Sequence, residues 1–227
     1  MPKTVLETST VTIKQTPLHL AIKTQNAEIV KLLLSSIDFD VNCTLINEEI
    51  KETNQGSYNR RLNETAVLQL AIENANIDII QLLLSHESID VNLKSKDIYE
   101  SKSEAKEKDS FSSSSNINEK PPLFLAVERN RNDIVKLLIE QSNIDINSIF
   151  LQNNASSSSS PTFKTVSSSY KVEMTSIYLA VKNENVEIIK TLLSHPDIDV
   201  NIECKIQNSS SSKDDQTNNE NHDINRK

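Results

Sequence analysis

The sequence has little of what a compact enzyme or a secreted domain uses. Its 227 residues include one glycine and no tryptophan, and only 4% of them are aromatic, so a glycine-rich phosphate loop is excluded. The two cysteines, Cys43 and Cys204, lie far apart and lack metal-type spacing. The opening segment MPKTVLETSTVTIK has no apolar signal core. We therefore expect an intracellular, cytoplasmic protein whose cysteines are reduced.

Charge and apolar runs exclude two classes of partner. The formal net charge is −8, and an acidic chain repels phosphate backbones, so no nucleic-acid partner is expected. The longest apolar runs, such as IIQLLL, are too short to cross a bilayer. No membrane insertion is expected either.

One 27-residue pattern occurs four times and dominates the sequence. The copies begin at Thr16, Ala66, Pro121 and Thr175, and the first reads TPLHLAIKTQNAEIVKLLLSSIDFDVN. Apolar residues repeat at i, i+3 and i+4 in two short segments of each copy, which predicts two helices. Such short helices are unstable alone in water, so each pair must bury its apolar side against the next pair.

The segment TPLHLA, followed by EIVKLLL and DVN, resembles the ankyrin repeat. The resemblance covers all four copies, about half of the chain, and similar irregular arrays are abundant in single-celled eukaryotes. It implies an all-α repeat solenoid of helix-turn-helix pairs with β-hairpin or loop fingers. We predict a returning half-finger at residues 1–15, an array at 16–205 with helix pairs at 16–35, 66–85, 121–141 and 175–194, and a polar, disordered tail at 206–227.

The copies depart from the family pattern at two places. Thr16 resembles a helix N-cap that His19 stabilises, whereas the second and third copies have Ala66 and Pro121 at that position. The glycine that usually separates the two helices is replaced by Gln25, Ala75, Asn130 and Glu184. A left-handed turn at such residues costs on the order of 1 kcal/mol, so we expect reduced stability with the topology retained.

The links between copies are longer than in a standard repeat. The matching alanines at 21, 71, 126 and 180 lie 50, 55 and 54 residues apart, against about 33 in the family. The excess falls in the fingers, whose serine-rich tips contain few apolar groups. We therefore predict disorder at residues 101–118, 152–168 and 207–227. Tolerated surface insertion is the favoured explanation of the serine runs, and phosphorylation that adds charge to a binding surface is the competing hypothesis.

No residue pattern indicates catalysis, a cofactor or a metal. His86 and His195 occupy the end of the second helix, where an imidazole suits the helix dipole and can bond free carbonyls. The Asp-x-Asn triplets at Asp40, Asp90, Asp145 and Asp199 lack the loop of a calcium site and are better explained as turns into the fingers. We predict that the chain is not an enzyme and has no catalytic, cofactor or metal-binding residues.

An extended array suits protein recognition. The resemblance implies that an adaptor or scaffold binds a protein through its concave face and fingers, at exposed positions after the LHLAA-like segment: Lys23, Thr24, Glu73, Asn74, Glu128, Arg129, Lys182 and Asn183. A plain solvated surface is the competing explanation for these positions. The alternative function is a regulatory or targeting segment of a larger protein or enzyme.

The fourth copy does not resemble a polar terminal cap. Val181, Val186 and Ile189 keep the apolar pattern of the inner copies. Either the tail folds back over this end, or a partner, a second copy or a continuation of the chain covers it. Because the tail is too polar to bury much surface, we expect partner contact or self-association through the C-terminal repeat.

Overall fold

The computed structural model describes residues 6–36, 39–54, 56–105, 110–160 and 163–213. Four helix pairs follow one another along the chain. They are α1 (Pro17–Lys23) and α2 (Ala27–Leu34), α3 (Val67–Asn74) and α4 (Ile77–Leu84), α5 (Pro122–Glu128) and α6 (Asn132–Ile139), and α7 (Ser176–Lys182) and α8 (Val186–Leu193). Each helix lies within the span in which the apolar spacing predicts it.

The helix pairs stack in sequence order around one apolar core. Each first helix packs on the next, α1 on α3, α3 on α5 and α5 on α7. The matching alanines Ala21, Ala71, Ala126 and Ala180 are all buried, because a larger side chain there would push neighbouring helices apart. The core is continuous from Leu18 in the first unit to Leu192 in the last.

The fingers form a single antiparallel sheet, so the expected all-α class is wrong. Its eight strands are β1 (Glu7–Lys14), β2 (Thr44–Thr53), β3 (Tyr58–Ala66), β4 (Ser95–Ala105), β5 (Ser110–Lys120), β6 (Ile149–Ser160), β7 (Phe163–Thr175) and β8 (Lys205–Lys213), and they lie in sequence order. Each finger is a hairpin, and neighbouring hairpins also pair with each other. Two strand spacings of about 4.8 Å match the 8–10 Å between packed helices, so the stack brings successive hairpins into hydrogen-bonding distance.

The predicted disorder of the finger tips is wrong for most of those residues. Ser112–Ser115 of β5 lie opposite residues 155–158 of β6, and Ser167–Ser169 of β7 lie opposite Ser209–Ser211 of β8. Serine hydroxyls bond across the strands, with Ser113 and Ser157 2.8 Å apart. Backbone bonds on both sides of a strand do not require apolar side chains. Residues 106–109, 161–162 and 214–227 lie outside the described part of the chain.

The Asp-x-Asn triplets form the expected turns and also tie the units together. Asp40 Oδ1 accepts a hydrogen bond from the Asn42 N–H at 2.9 Å. Asn42 then reaches the second unit, donating to Ser88 O at 2.7 Å and accepting from the Asp90 N–H at 2.8 Å. Asn92 and Asn147 make the corresponding pairs of bonds to the third and fourth units. We call these three side chains the asparagine clamps.

The helix starts differ between units as the sequence predicts. His19 Nδ1 accepts from the Thr16 N–H at 3.0 Å and lies 2.8 Å from the Thr16 hydroxyl. Ala66 and Pro121 provide no capping bond. The expectation that His86 and His195 bond free carbonyls is wrong. Their Nδ1 atoms instead accept from backbone N–H groups two residues later, since the following turn offers a closer partner.

The turn between the two helices of each unit is left-handed at a residue that is not glycine. Gln25, Ala75 and Glu184 have φ of 55° and Asn130 has φ of 57°. Backbone strain of this kind costs about 1–2 kcal/mol for a residue with a Cβ, although asparagine tolerates it better. The strain therefore recurs in every unit.

Replacing Ala75 by glycine should relieve one of these strained turns. We expect Ala75→Gly to raise the free energy of unfolding by about 1 kcal/mol, measured by urea denaturation with helix circular dichroism. Ala71→Gly, in the buried part of α3, is the control and should lower it by about 1 kcal/mol or more. A loss of stability in Ala75→Gly would contradict the left-handed turn.

Protonation of His19 should destabilise the stack. Burial and the charge of Lys23 lower the pKa of His19, against an opposing contribution from the Cys43 backbone. The unfolded chain, with a histidine pKa of about 6.5, then binds more protons than the folded one, so stability falls as the pH drops below about 6.5.

The variant His19→Gln tests this because glutamine already occupies the matching position of the second unit as buried Gln69. Urea midpoints measured between pH 7.5 and 5.5 should fall less steeply in this variant than in the wild type. Equal slopes for the two proteins would contradict the role of His19.

Candidate protein-binding surface

The eight residues predicted to bind a partner lie where the first helix of each unit ends. Lys23 and Lys182 are the last residues of α1 and α7, and Thr24, Arg129 and Asn183 follow directly as C-caps. We call the eight residues together the helix-end stripe. Seven of them are exposed and Asn74 is half-buried.

Asn74 has a structural contact that the sequence does not indicate. Its Nδ2 donates to the Ile22 carbonyl at 3.1 Å, which ties the second unit to the end of α1. Thr24 likewise directs its hydroxyl to the Leu20 carbonyl at 3.0 Å. These two side chains are therefore partly engaged within the stack, whereas the charged members remain at the surface.

One face of the sheet continues the helix-end stripe. Lys120, at the end of β5, lies 2.7 Å from the Glu128 carboxylate, and Lys23 donates to Gln15 beyond the end of β1 at 3.4 Å. The alternating residues on this side form a row across all eight strands: Val11, Glu49, Arg61, Tyr99, Asn116, Asn154, Tyr170 and Asn208. We call this side the inner face.

Charges converge where the stripe meets the inner face. Desolvation raises the pKa of the Glu73 carboxyl, while the nearby charges of Arg129 and Lys120 oppose that rise. Asp97 of β4 and Glu128 add negative charge to the same cluster. The junction therefore combines both signs of charge on residues from two units and from the finger that joins them.

A shallow groove of about 590 Å³ crosses the inner face. Tyr99 and Tyr170 line it together with Asn116, Asn154 and Asn208 and several serines. The tyrosines are 43% and 36% exposed, so each presents a ring to a bound molecule. Tyr and neighbouring amides are a combination that protein-binding surfaces favour.

Three amide oxygens beside the groove lack hydrogen-bond partners within the described part of the chain. They are the buried Oδ1 atoms of Asn116, Asn118 and Asn154, all on the inner face. A buried acceptor without a donor costs about 1–3 kcal/mol. Because these oxygens are shielded from solvent, they mark a strained part of the inner face, and only the exposed parts of the amides line the groove.

Sequence reasoning did not find the two tyrosines as binding residues. Both lie just outside segments predicted to be disordered, and the helix-end stripe has few aromatic residues. The usable signal was the alternation in KDIYE and SSYKVEM, which is typical of half-exposed strands. What the alternation could not indicate is that strands from separate fingers share one sheet.

Among the described residues, no group of three His, Cys, Asp or Glu side chains is placed to hold a metal ion. In the same part of the chain, no helix has the length and apolar character needed to cross a membrane.

A family model for ankyrin repeats matches the chain in three overlapping copies, at residues 4–95, 42–150 and 98–204. No curated protein matched the chain in a comparison of sequences. The matched segments span the helix pairs and the hairpins between them. Ankyrin repeats generally mediate protein–protein interactions and are typically non-catalytic. On this match, which covers most of the sequence, the chain belongs to the ankyrin-repeat family.

Proposed function

We propose that this chain is an adaptor or scaffold that binds a partner protein across the inner face and the helix-end stripe. The groove between Tyr99 and Tyr170, lined by asparagine and serine side chains, is the observation that carries the proposal. Partly exposed tyrosines anchor protein interfaces because they bury a large area with little loss of side-chain entropy.

The geometry favours an extended peptide segment of the partner. Tyr99 lies on β4 and Tyr170 on β7, three strand spacings away, which is about 14 Å. An extended peptide rises about 3.3 Å per residue, so four to five residues bridge the two rings. The peptide would pass over Asn116 and Asn154, which line the groove between the two rings.

The charged cluster around Glu73 would govern the orientation of the partner. Glu73, Glu128 and Arg129 lie near Lys120, where the helix-end stripe meets the inner face. Charges at the rim of an interface contribute little affinity individually, but they steer association and exclude wrong orientations. Their effect should weaken with added salt because they are near the surface.

The role of the groove between Tyr99 and Tyr170 is tested with partner proteins captured by proximity labelling or pull-down from the native cell. For a captured partner, we expect Tyr99→Ala and Tyr170→Ala each to weaken binding about tenfold or more in a calorimetric titration, as removal of an anchor does. The control is Tyr58→Ala on the opposite face of the sheet, which should leave affinity unchanged.

This experiment distinguishes binding to the inner face of the sheet from binding to the opposite face. Circular dichroism first establishes that the variants keep the helix and strand content of the wild type. If Tyr58→Ala weakens binding and the groove variants do not, the partner uses the other face and the proposal is wrong. Arg129→Glu tests the charged cluster and should reduce the association rate more than it raises the dissociation rate.

A further inference from the structure

The first end of the helix stack exposes apolar side chains that every inner unit buries. Leu20 is 53% and Ile29 is 45% exposed, whereas the matching Leu70 and Ile79 of the second unit are 7% and 0% exposed. In units two to four these positions pack on the preceding unit. The first unit therefore presents one half of the interface that joins units elsewhere in the chain.

The opposite end presents the other half of the same interface. Val181 is 57% and Val200 is 58% exposed, whereas Ile22 and Val41, at the matching positions of the first unit, are 0% and 1% exposed. Terminal repeats usually carry polar outer surfaces that keep a stack soluble. Both ends of this stack instead keep the apolar residues of inner units.

The two edge strands of the sheet occupy the same positions, relative to their units, as the two strands of a hairpin. In each hairpin the strand leaving a unit pairs with the strand entering the next, with Leu45 opposite Thr65 and Phe150 opposite Met174. β8 leaves the fourth unit and β1 enters the first, and both are edge strands of the sheet. Transferring the hairpin register to a second copy places Cys204 opposite Gln15.

At each end of the stack, one group stands at an asparagine-clamp position with no neighbouring unit beside it in the described chain. Asn201 occupies the position of Asn42, Asn92 and Asn147, and the Asp199 carboxylate accepts its N–H at 2.8 Å as in the other units. Asp40 occupies the position of Asp90, whose N–H donates to the preceding clamp at 2.8 Å. The exposed Asn201 amide of one copy therefore suits the Asp40 N–H of another.

We infer that two copies of this chain associate head to tail, with α7, α8 and β8 of one copy stacked on α1, α2 and β1 of the next. The interface continues the one already formed three times within the chain, which identifies a second copy as the occupant. The inferred register places Lys205 opposite Lys14, an unfavourable pair, but Glu173 lies 3.9 Å from Lys205 and offsets part of its charge. This inference does not depend on the proposed partner groove.

A head-to-tail contact uses a different surface on each copy. It is a heterologous interface, which generates rings or filaments instead of stopping at a twofold dimer. This property separates the inference from the simpler explanation that one apolar end pairs with the same end of another copy.

Two blocked variants test the inference. Variant N carries Leu20→Lys and Ile29→Lys, and variant C carries Val181→Lys and Val200→Lys, all at exposed positions. By sedimentation velocity, the wild type should form species larger than a dimer as concentration rises, and each variant alone should remain monomeric. An equimolar mixture should form a dimer and nothing larger, because one intact end of each kind remains.

A second measurement tests the register. Gln15→Cys in a Cys43→Ser background leaves one cysteine at each inferred edge, and directly opposite residues of antiparallel strands lie within disulfide reach. Oxidation should give intermolecular disulfide ladders, whereas Thr10→Cys in the same background should give at most about a tenth as much. Phe111→Lys on β5, away from both ends and outside the groove, should leave association unchanged.

The opposing outcomes are distinct. A wild type that stays monomeric at all concentrations overturns the inference. A tail that covers the C-terminal end of the stack would give this result. A variant N or variant C that still dimerises alone shows that like ends pair. Both variants must retain wild-type circular dichroism, and the dimer formed by their mixture would itself show that both are folded.

Discussion

The spacing of the helix stack sets the rest of this structure. Helices pack about 8–10 Å apart, and two antiparallel strands take up nearly the same distance. A hairpin inserted between successive helix pairs therefore meets the next hairpin edge to edge. A different stack spacing would leave each finger alone in solvent, where a two-stranded hairpin is only marginally stable.

This match explains how serine-rich segments become ordered strands. Alone, the tips of the second and third hairpins have too few apolar groups to offset their conformational entropy. In the sheet, their backbone groups pair on both sides and serines such as Ser113 and Ser157 bond to each other. The helix core supplies the stability, and the strands use the positions that the core imposes. The same arrangement places Tyr99 and Tyr170, 71 residues apart in sequence, on one groove.

The parts of the fold that depend on short-range pattern were predictable. The 3, 4 spacing of residues such as Ile29, Val30 and Leu33 locates the helices, and the family resemblance locates the helix-end stripe. Pairing between fingers was not predictable, because the composition of a segment describes that segment alone. It does not indicate which other strand will pair with its edge. The clamp bonds of Asn42, Asn92 and Asn147 could have been predicted, because a recurring Asp-x-Asn triplet indicates a repeated bond as well as a turn.

The stability of the array is unevenly distributed. In a repeat protein each unit is stabilised mainly by its two neighbours, yet the first and fourth units of this stack each have one within the described chain. Each unit also carries a strained left-handed turn, and two of the four first helices lack a side-chain cap. Local unfolding should therefore begin at the end units. Lys23 and Lys182 of the helix-end stripe lie in those two units, so a contact that orders an end also orders part of the proposed binding surface. Self-association and partner binding would then favour each other through the shared cost of ordering the end helices.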